Sequence, residues 1–283
     1  MAQNPTKPVV LTIAGIDPSG AAGILSDLKT FAAHDCYGVA AATAITVQNT
    51  CEARRIVAVD ADVVEQQIQT LFDDVAIAGV KVGLLGGRKN MEAVARCLSA
   101  RRGVPVVVDV VLRLASGLEY LGKQDVEVFK RAILPLARVV TASAADAERL
   151  LGLPVTTLEE MKGAAKLLYE QGPPHVVITG SHLEKPADVD YDGQELQVFT
   201  SPRAELPHLH GVGCTFAAAI LANLVHGQGA RESVVLAKAY VSQAIARAYP
   251  VGNGRGALNH LFRFAESQGR PAGAPEPVAE PRA

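Results

Sequence analysis

Long runs of like charge are missing from this 283-residue chain: no stretch of Lys or Arg exceeds a pair, and the formal net charge is −2. Such a balance leaves no electrostatic footprint for nucleic acid, so small-molecule chemistry is the expectation. Long apolar runs are missing too, none being long enough to span a bilayer. The start MAQNPTKPVVLTIAG lacks the charged n-region, apolar core and cleavage site of a secretory leader. A cytoplasmic protein with no membrane partner is expected. None of the four cysteines, Cys36, Cys51, Cys97 and Cys214, sits in a CxxC pair or has a histidine at zinc-ligand spacing. That excludes a structural metal and points to reduced thiols. No internal repeat or interior linker is visible. GIDPSGAAG also fails the GxGxxG spacing of a dinucleotide site, and no acidic residue closes a second strand where a ribose would sit.

What is present is an alternation of strand-length and helix-length segments. Strands are predicted at 9–15, 39–47, 78–85, 104–110, 137–142, 175–180 and 196–200. Several are apolar without alternation, as in strands of a parallel sheet buried on both faces. Helices are predicted at 22–34, 61–73, 89–101, 124–134, 144–151, 157–171, 213–226 and 231–248. Asp62 with Glu65 has the outline of a capping box, and Gly227 supplies a helix stop. Repeated βα units mean an α/β fold with a mostly parallel central sheet and helices on both faces. The expected organisation is a flexible start at 1–8, a single domain over 9–265 and a Pro-, Ala- and charge-rich disordered tail at 266–283.

Ligands of such sheets bind beyond the carboxyl ends of the strands. The first strand exits into AGIDPSGAAGILSDLKTF (14–31), which holds three glycines before an amphipathic helix. Asp27 lies on the same side as Ile24, Leu28 and Phe31, so its carboxylate must find donors, from a ligand or from the protein. The second strand exits into Gln48-Asn49-Thr50, whose side-chain amide can donate and accept at once, as a site for an aminopyrimidine edge requires. Near the end, HGVGCT (210–215) opens a helix. Gly211 and Gly213 allow a tight turn there, exposed amides and the helix dipole favour an anion, and the same field is expected to lower the Cys214 thiol's pKa. Burial of Cys214 as a small hydrophobe is the competing reading.

Taken together, AGIDPSGAAGILSDLKTF, VQNT, KVGLLG, DVVLRLASG and HGVGCT, in this order, resemble the hydroxymethylpyrimidine/phosphomethylpyrimidine kinases of thiamine biosynthesis, from about residue 9 to about 260. The resemblance implies a ribokinase-like three-layer fold, ATP and Mg²⁺ as cofactors, a small pyrimidine as substrate and often a homodimer. Carried over to this chain, it places Gly15, Ala22, Asp27, Gln48, Leu84 and Val111 around the pyrimidine. Cys214 becomes the catalytic base, and Gly211, Val212 and Gly213 the anion hole. Departures fall on the nucleotide side. Val110 stands for the family's proline, Ala115 and Thr179 for lysines, Ala142 and Ser143 for proline and asparagine, Asp146 for glutamate and Val212 for threonine. Arg113, Ser143, Thr179 and His210 are the nucleotide or phosphate candidates, and Asp146 the candidate for a water-bridged magnesium. The same scaffold also serves pyridoxal and pyridoxine kinases, and a silent pyrimidine-binding homologue would retain the same pocket.

Overall fold

A computed structural model describes residues 7–114, 116–200 and 209–267. Most of the expected flexible start over 1–8 lies outside the described residues, as does the expected disordered tail from 268 onward; its first two residues, 266 and 267, are instead the end of a short helix. Nine strands form one sheet in the order β3-β2-β1-β4-β5-β6-β7-β8-β9. They are β1 (Val9–Ile16), β2 (Tyr37–Gln48), β3 (Ala53–Ala58), β4 (Ile77–Val82), β5 (Val106–Asp109), β6 (Val139–Ser143), β7 (Val176–Gly180), β8 (Ala187–Tyr191) and β9 (Leu196–Thr200). From β2 to β7 neighbours run parallel, while β3, β8 and β9 are antiparallel additions at the edges.

Successive strand residues feed opposite cores, which is why the central strands read as unbroken apolar runs. Val10, Val107, Val139 and Val177 face one side, where α1 (Gly23–Ala33), α7 (Val212–Val225) and α8 (Ala230–Ala246) contribute Phe31, Phe216, Leu221 and Tyr240. Leu11, Val108, Val140 and Ile178 face the other, against Ile68, Met91, Phe129, Leu150 and Met161. These five come from α2 (Ala61–Asp74), α3 (Arg88–Ser99), α4 (Lys123–Ala132), α5 (Ala144–Leu151) and α6 (Leu158–Tyr169). The result is a three-layer fold with helices on both faces, and a short α9 (Phe262–Ser267) follows.

Every predicted strand and helix has a counterpart, with ends shifted by a few residues. Two strands escape the sequence pattern. β3, ARRIVA, is short and polar because it lies at a sheet edge. β8, ADVDY, carries buried aspartates that only tertiary contacts explain: Asp188 accepts from Lys238 at 2.5 Å, and Asp190 pairs with His175. The capping box assigned to Asp62 and Glu65 is absent. Asp60 is the N-cap of α2, and Glu65 instead meets Arg96 at 2.7 Å. Gly227 does stop α7, taking φ +91° and donating to Leu224 O at 3.0 Å. No helix among the described residues is long and apolar enough to cross a membrane. Strands β1, β2, β4, β5, β6 and β7 run parallel, so their carboxyl ends open on one edge, where α1, α5 and α7 begin.

Candidate active site

At that edge the first turn of α7 is held open by one glycine. Gly211 adopts φ +85°, and a Cβ there would stand 1.8 Å from Ala21 O. Thr215 N–H is the first to join the ladder, donating to Gly211 O at 2.9 Å, so the amides of Gly211, Val212, Gly213 and Cys214 precede it. Gly213 is different, because its added Cβ would meet only Asp109 Oδ1 at an ordinary 3.7 Å. Of the two glycines expected to allow a tight turn, sterics demand Gly211 alone. Gly211→Ala is expected to cost at least about 3 kcal/mol, from the left-handed backbone and the collision together, whereas Gly213→Ala leaves stability unchanged or raised. Denaturant unfolding of the two variants checks this.

Behind the turn, Thr215 Oγ1 donates to Gly211 O at 2.8 Å and lies 3.0 Å from both Ser26 Oγ and His260 Nε2, with Ser26 Oγ also 3.0 Å from His260 Nε2. This knot ties α1 and the chain after α8 to the start of α7. Burial, helped by the charge of Lys29, pushes the His260 pKa down to about 4. An imidazole whose folded pKa is depressed stabilises the fold above its unfolded value near 6.5, and that contribution disappears as pH falls from there toward 4. Asp146, raised to about 6, acts in the opposite sense. The difference between wild type and His260→Gln isolates the imidazole: between pH 7 and pH 4.5 wild type is expected to lose about 2 kcal/mol more stability than the variant, measured by urea unfolding at the two pH values.

Beneath the turn lies a charge cluster that sequence reasoning missed. Lys81, fully buried on β4, donates to both Asp27 oxygens at 2.9 Å and stands 3.7 Å from Asp109 Oδ2 at the end of β5. Thr12 Oγ1 donates to Asp27 Oδ2 at 2.6 Å. Asp27, 0% exposed, therefore finds its donors inside the protein, which corrects its assignment as a direct substrate contact. Burial alone would strip the proton from Lys81, but Asp27, Cys214 and Asp109 hold its pKa above the ordinary ammonium value. Asp109 Oδ1 accepts from Thr141 at 3.1 Å, while its buried Oδ2 has no hydrogen-bond partner. The expected depression of the Cys214 pKa is also overturned. Burial pushes the thiol up to about 12, with Asp109 and Asp27 adding to the rise, against the opposing pull of Lys81 and of the Gly23 N–H. Desolvation outweighs the helix field here. Cys214 itself is half-buried, and the charges of Lys81, Asp109 and Asp27 act on it.

Across the turn stands the predicted pyrimidine side. Gln48, the last residue of β2, has its amide Nε2 placed 2.8 Å from His210 Nε2, which in turn is 3.0 Å from Asp17 Oδ2. Asp17 also accepts from Ala22 N at 3.1 Å and Ser19 N at 2.9 Å, and it fixes the loop after β1. Gly15 lies against Leu84, where an added Cβ would come within 2.8 Å of Cδ2. Gly15, Ala22, Gln48, Leu84 and the α7 turn thus converge. Val111 stands just beyond Asp109, and its carbonyl accepts from Tyr120. His210, predicted as a phosphate contact, is instead engaged with Gln48 and Asp17.

The nucleotide candidates are more dispersed. Ser143 is the N-cap of α5: its hydroxyl accepts from Asp146 N at 3.1 Å and donates to Asp146 Oδ2 at 2.5 Å. In this arrangement the hydroxyl is engaged with Asp146. Asp146 Oδ1 accepts from Leu112 N at 3.3 Å, and burial raises its carboxyl to about 6 despite bonds from Ser143 and Leu112. Arg113 is exposed, and its charge favours the Asp146 carboxylate. Thr179, at the end of β7, donates to Ala142 O at 3.5 Å. Ala115 lies outside the described residues.

Comparison with known proteins places this arrangement. The thiamine biosynthesis bifunctional protein ThiED of Geobacter sulfurreducens is 38% identical over 89% of this chain, which spans 52% of that longer protein. The hydroxymethylpyrimidine/phosphomethylpyrimidine kinase of Haemophilus influenzae is 37% identical, covering 89% of this chain and 96% of its own. An ADP complex of Bacillus subtilis pyridoxal kinase superposes with a TM-score of 0.84 at 33% identity, over 92% of this chain and 100% of that one. A family model described as phosphomethylpyrimidine kinase matches residues 17–259. By that match and those relatives, with the α7 turn and its thiol in place, the chain belongs to the phosphomethylpyrimidine kinase family.

Proposed function

We propose that the protein phosphorylates 4-amino-5-hydroxymethyl-2-methylpyrimidine and then its monophosphate, using ATP, through one domain over residues 9–265. The observation that carries this reading is the juxtaposition at the α7 start: amides that precede the helix ladder, a thiol and a buried ammonium on one side, and the Gln48 amide on the other. Phosphoryl transfer asks mainly for positioning and charge neutralisation, which these groups supply. The amides of Gly211 to Cys214 receive the moving phosphoryl group. Cys214 accepts the substrate hydroxyl's proton in its ionised form, and Lys81 favours that form.

The residues also suit a magnesium ion that arrives with nucleotide phosphates. Magnesium is commonly held by one or two carboxylates together with phosphates and water. Asp109 Oδ2 is a buried acceptor with no hydrogen bond, only the Lys81 ammonium 3.7 Å away, and the raised Asp146 carboxyl would be drawn back to its charged form by a cation. Bound there, the ion would neutralise phosphate charge. A cytoplasmic homodimer belongs to the same reading, with the exposed Ile45, Val47 and Val57 of β2 and β3 as apolar surface for a partner copy.

Pyridoxal kinase activity is the second reading, favoured by the structural likeness to the Bacillus subtilis enzyme. Incubating the pure protein with Mg-ATP and either the hydroxymethylpyrimidine or pyridoxal, followed by mass spectrometry, decides between them. A pyrimidine mono- and diphosphate is expected. Pyridoxal phosphate alone would establish the second reading, and pyrimidine binding without any product would reject both.

A further inference from the structure

Three side chains at the pocket share a single proton. His210 Nε2 contacts Asp17 Oδ2 at 3.0 Å and the Gln48 amide at 2.8 Å. Asp17 is 4% exposed and accepts from Ser19 N, Ser19 Oγ and Ala22 N besides His210. Burial works against its charge, yet the bonds from His210 and Ser19 outweigh it and keep the carboxyl below its ordinary pKa. An ionised Asp17 can only accept, so His210 must carry its proton on Nε2, in the neutral or the charged ring alike. A protonated Nε2 cannot accept from an amide N–H. The two ends of the Gln48 amide have the same shape, and the network decides between them: Oε1 belongs toward His210. The amide NH₂ then takes the end of the side chain away from His210.

We propose that Asp17 and His210 are positioning residues that turn the Gln48 NH₂ toward the substrate, so that the site selects a ring bearing a hydrogen-bond acceptor opposite Gln48. This rests on the reading that Gln48 faces the pyrimidine. An aminopyrimidine meets the requirement through a ring nitrogen. A ring with C–H at that place leaves the amide donor unpaired and binds less well.

The test has two arms, neither of which needs turnover. In the wild-type protein labelled with ¹⁵N-histidine, the His210 resonance, assigned by its loss in His210→Asn, should show a protonated Nε2 at pH 8. An unprotonated Nε2 overturns the proposal. In the second arm, calorimetry compares the hydroxymethylpyrimidine with its two pyridine analogues, each having one ring nitrogen replaced by C–H. One analogue should bind wild type about tenfold more weakly than the parent. In Asp17→Ala the acceptor that holds the ring proton on Nε2 is gone, the imidazole takes either tautomer, Gln48 is no longer held in one orientation and the discrimination falls below about threefold. A purely structural role for Asp17 would weaken all three ligands by one common factor, and that outcome also overturns the proposal. Loss of phosphotransfer with these binding results intact would reject the kinase reading while leaving this one standing.

Discussion

Lys81→Met should destabilise the protein by about 3–5 kcal/mol, and adding Asp27→Asn should restore most of that loss. Removing the ammonium alone leaves Asp27 charged at 0% exposure, with only the Thr12 hydroxyl bonded to it. Neutralising both members exchanges a buried ion pair for groups of similar volume, a change that is often close to neutral for stability. The double variant is therefore expected to unfold in urea near the wild-type midpoint while turning over poorly, since the ammonium that favours the Cys214 thiolate is gone. Equal loss of stability in the single and double variants would show that Lys81 is held by something other than Asp27.

Cys214→Ala should lower kcat by about 10²–10⁴ and leave pyrimidine affinity intact, as removal of a proton acceptor predicts. A variant that kept most of its rate would remove Cys214 from the base role. The pH profile carries a sharper expectation. With the free thiol raised to about 12, only a small fraction is ionised near neutrality, and that fraction grows tenfold with each pH unit below 12. Because kcat/KM reports the free enzyme, it should climb with a slope near one between pH 7 and pH 9. In Cys214→Ala the residual rate should be flat across the same interval.

The layered fold was legible because unbroken apolar runs such as VPVVVDV and amphipathic segments such as 144–151 obey local rules. β8 was not, because ADVDY is apolar only at alternate positions and its aspartates depend on Lys238 and His175, whose approach no local pattern records. The site divided in the same way. Gly211 announces itself through a left-handed turn, and Gln48 through its place at a strand end. Lys81 was overlooked although it left a signal: a lone lysine between Val80 and Val82, inside a strand buried on both faces, requires a buried carboxylate nearby. The thiol's pKa was misjudged because helix polarity can be read from sequence, whereas the desolvation that opposes it depends on what the fold packs over residue 214. Ser143 carries an ordinary local signal as well: its place three residues before Asp146 at a helix start is that of an N-cap.

The central claim is that the amides opening α7 hold the phosphoryl group in flight. A crystal structure of the protein with ADP, magnesium, aluminium fluoride and the hydroxymethylpyrimidine tests it most directly. The account predicts the fluoride ligands within hydrogen-bond distance of N–H groups in the Gly211 to Cys214 turn, with the pyrimidine hydroxyl in line and close to the Cys214 sulfur. Aluminium fluoride bound away from that turn, with the amides left to solvent, would contradict it.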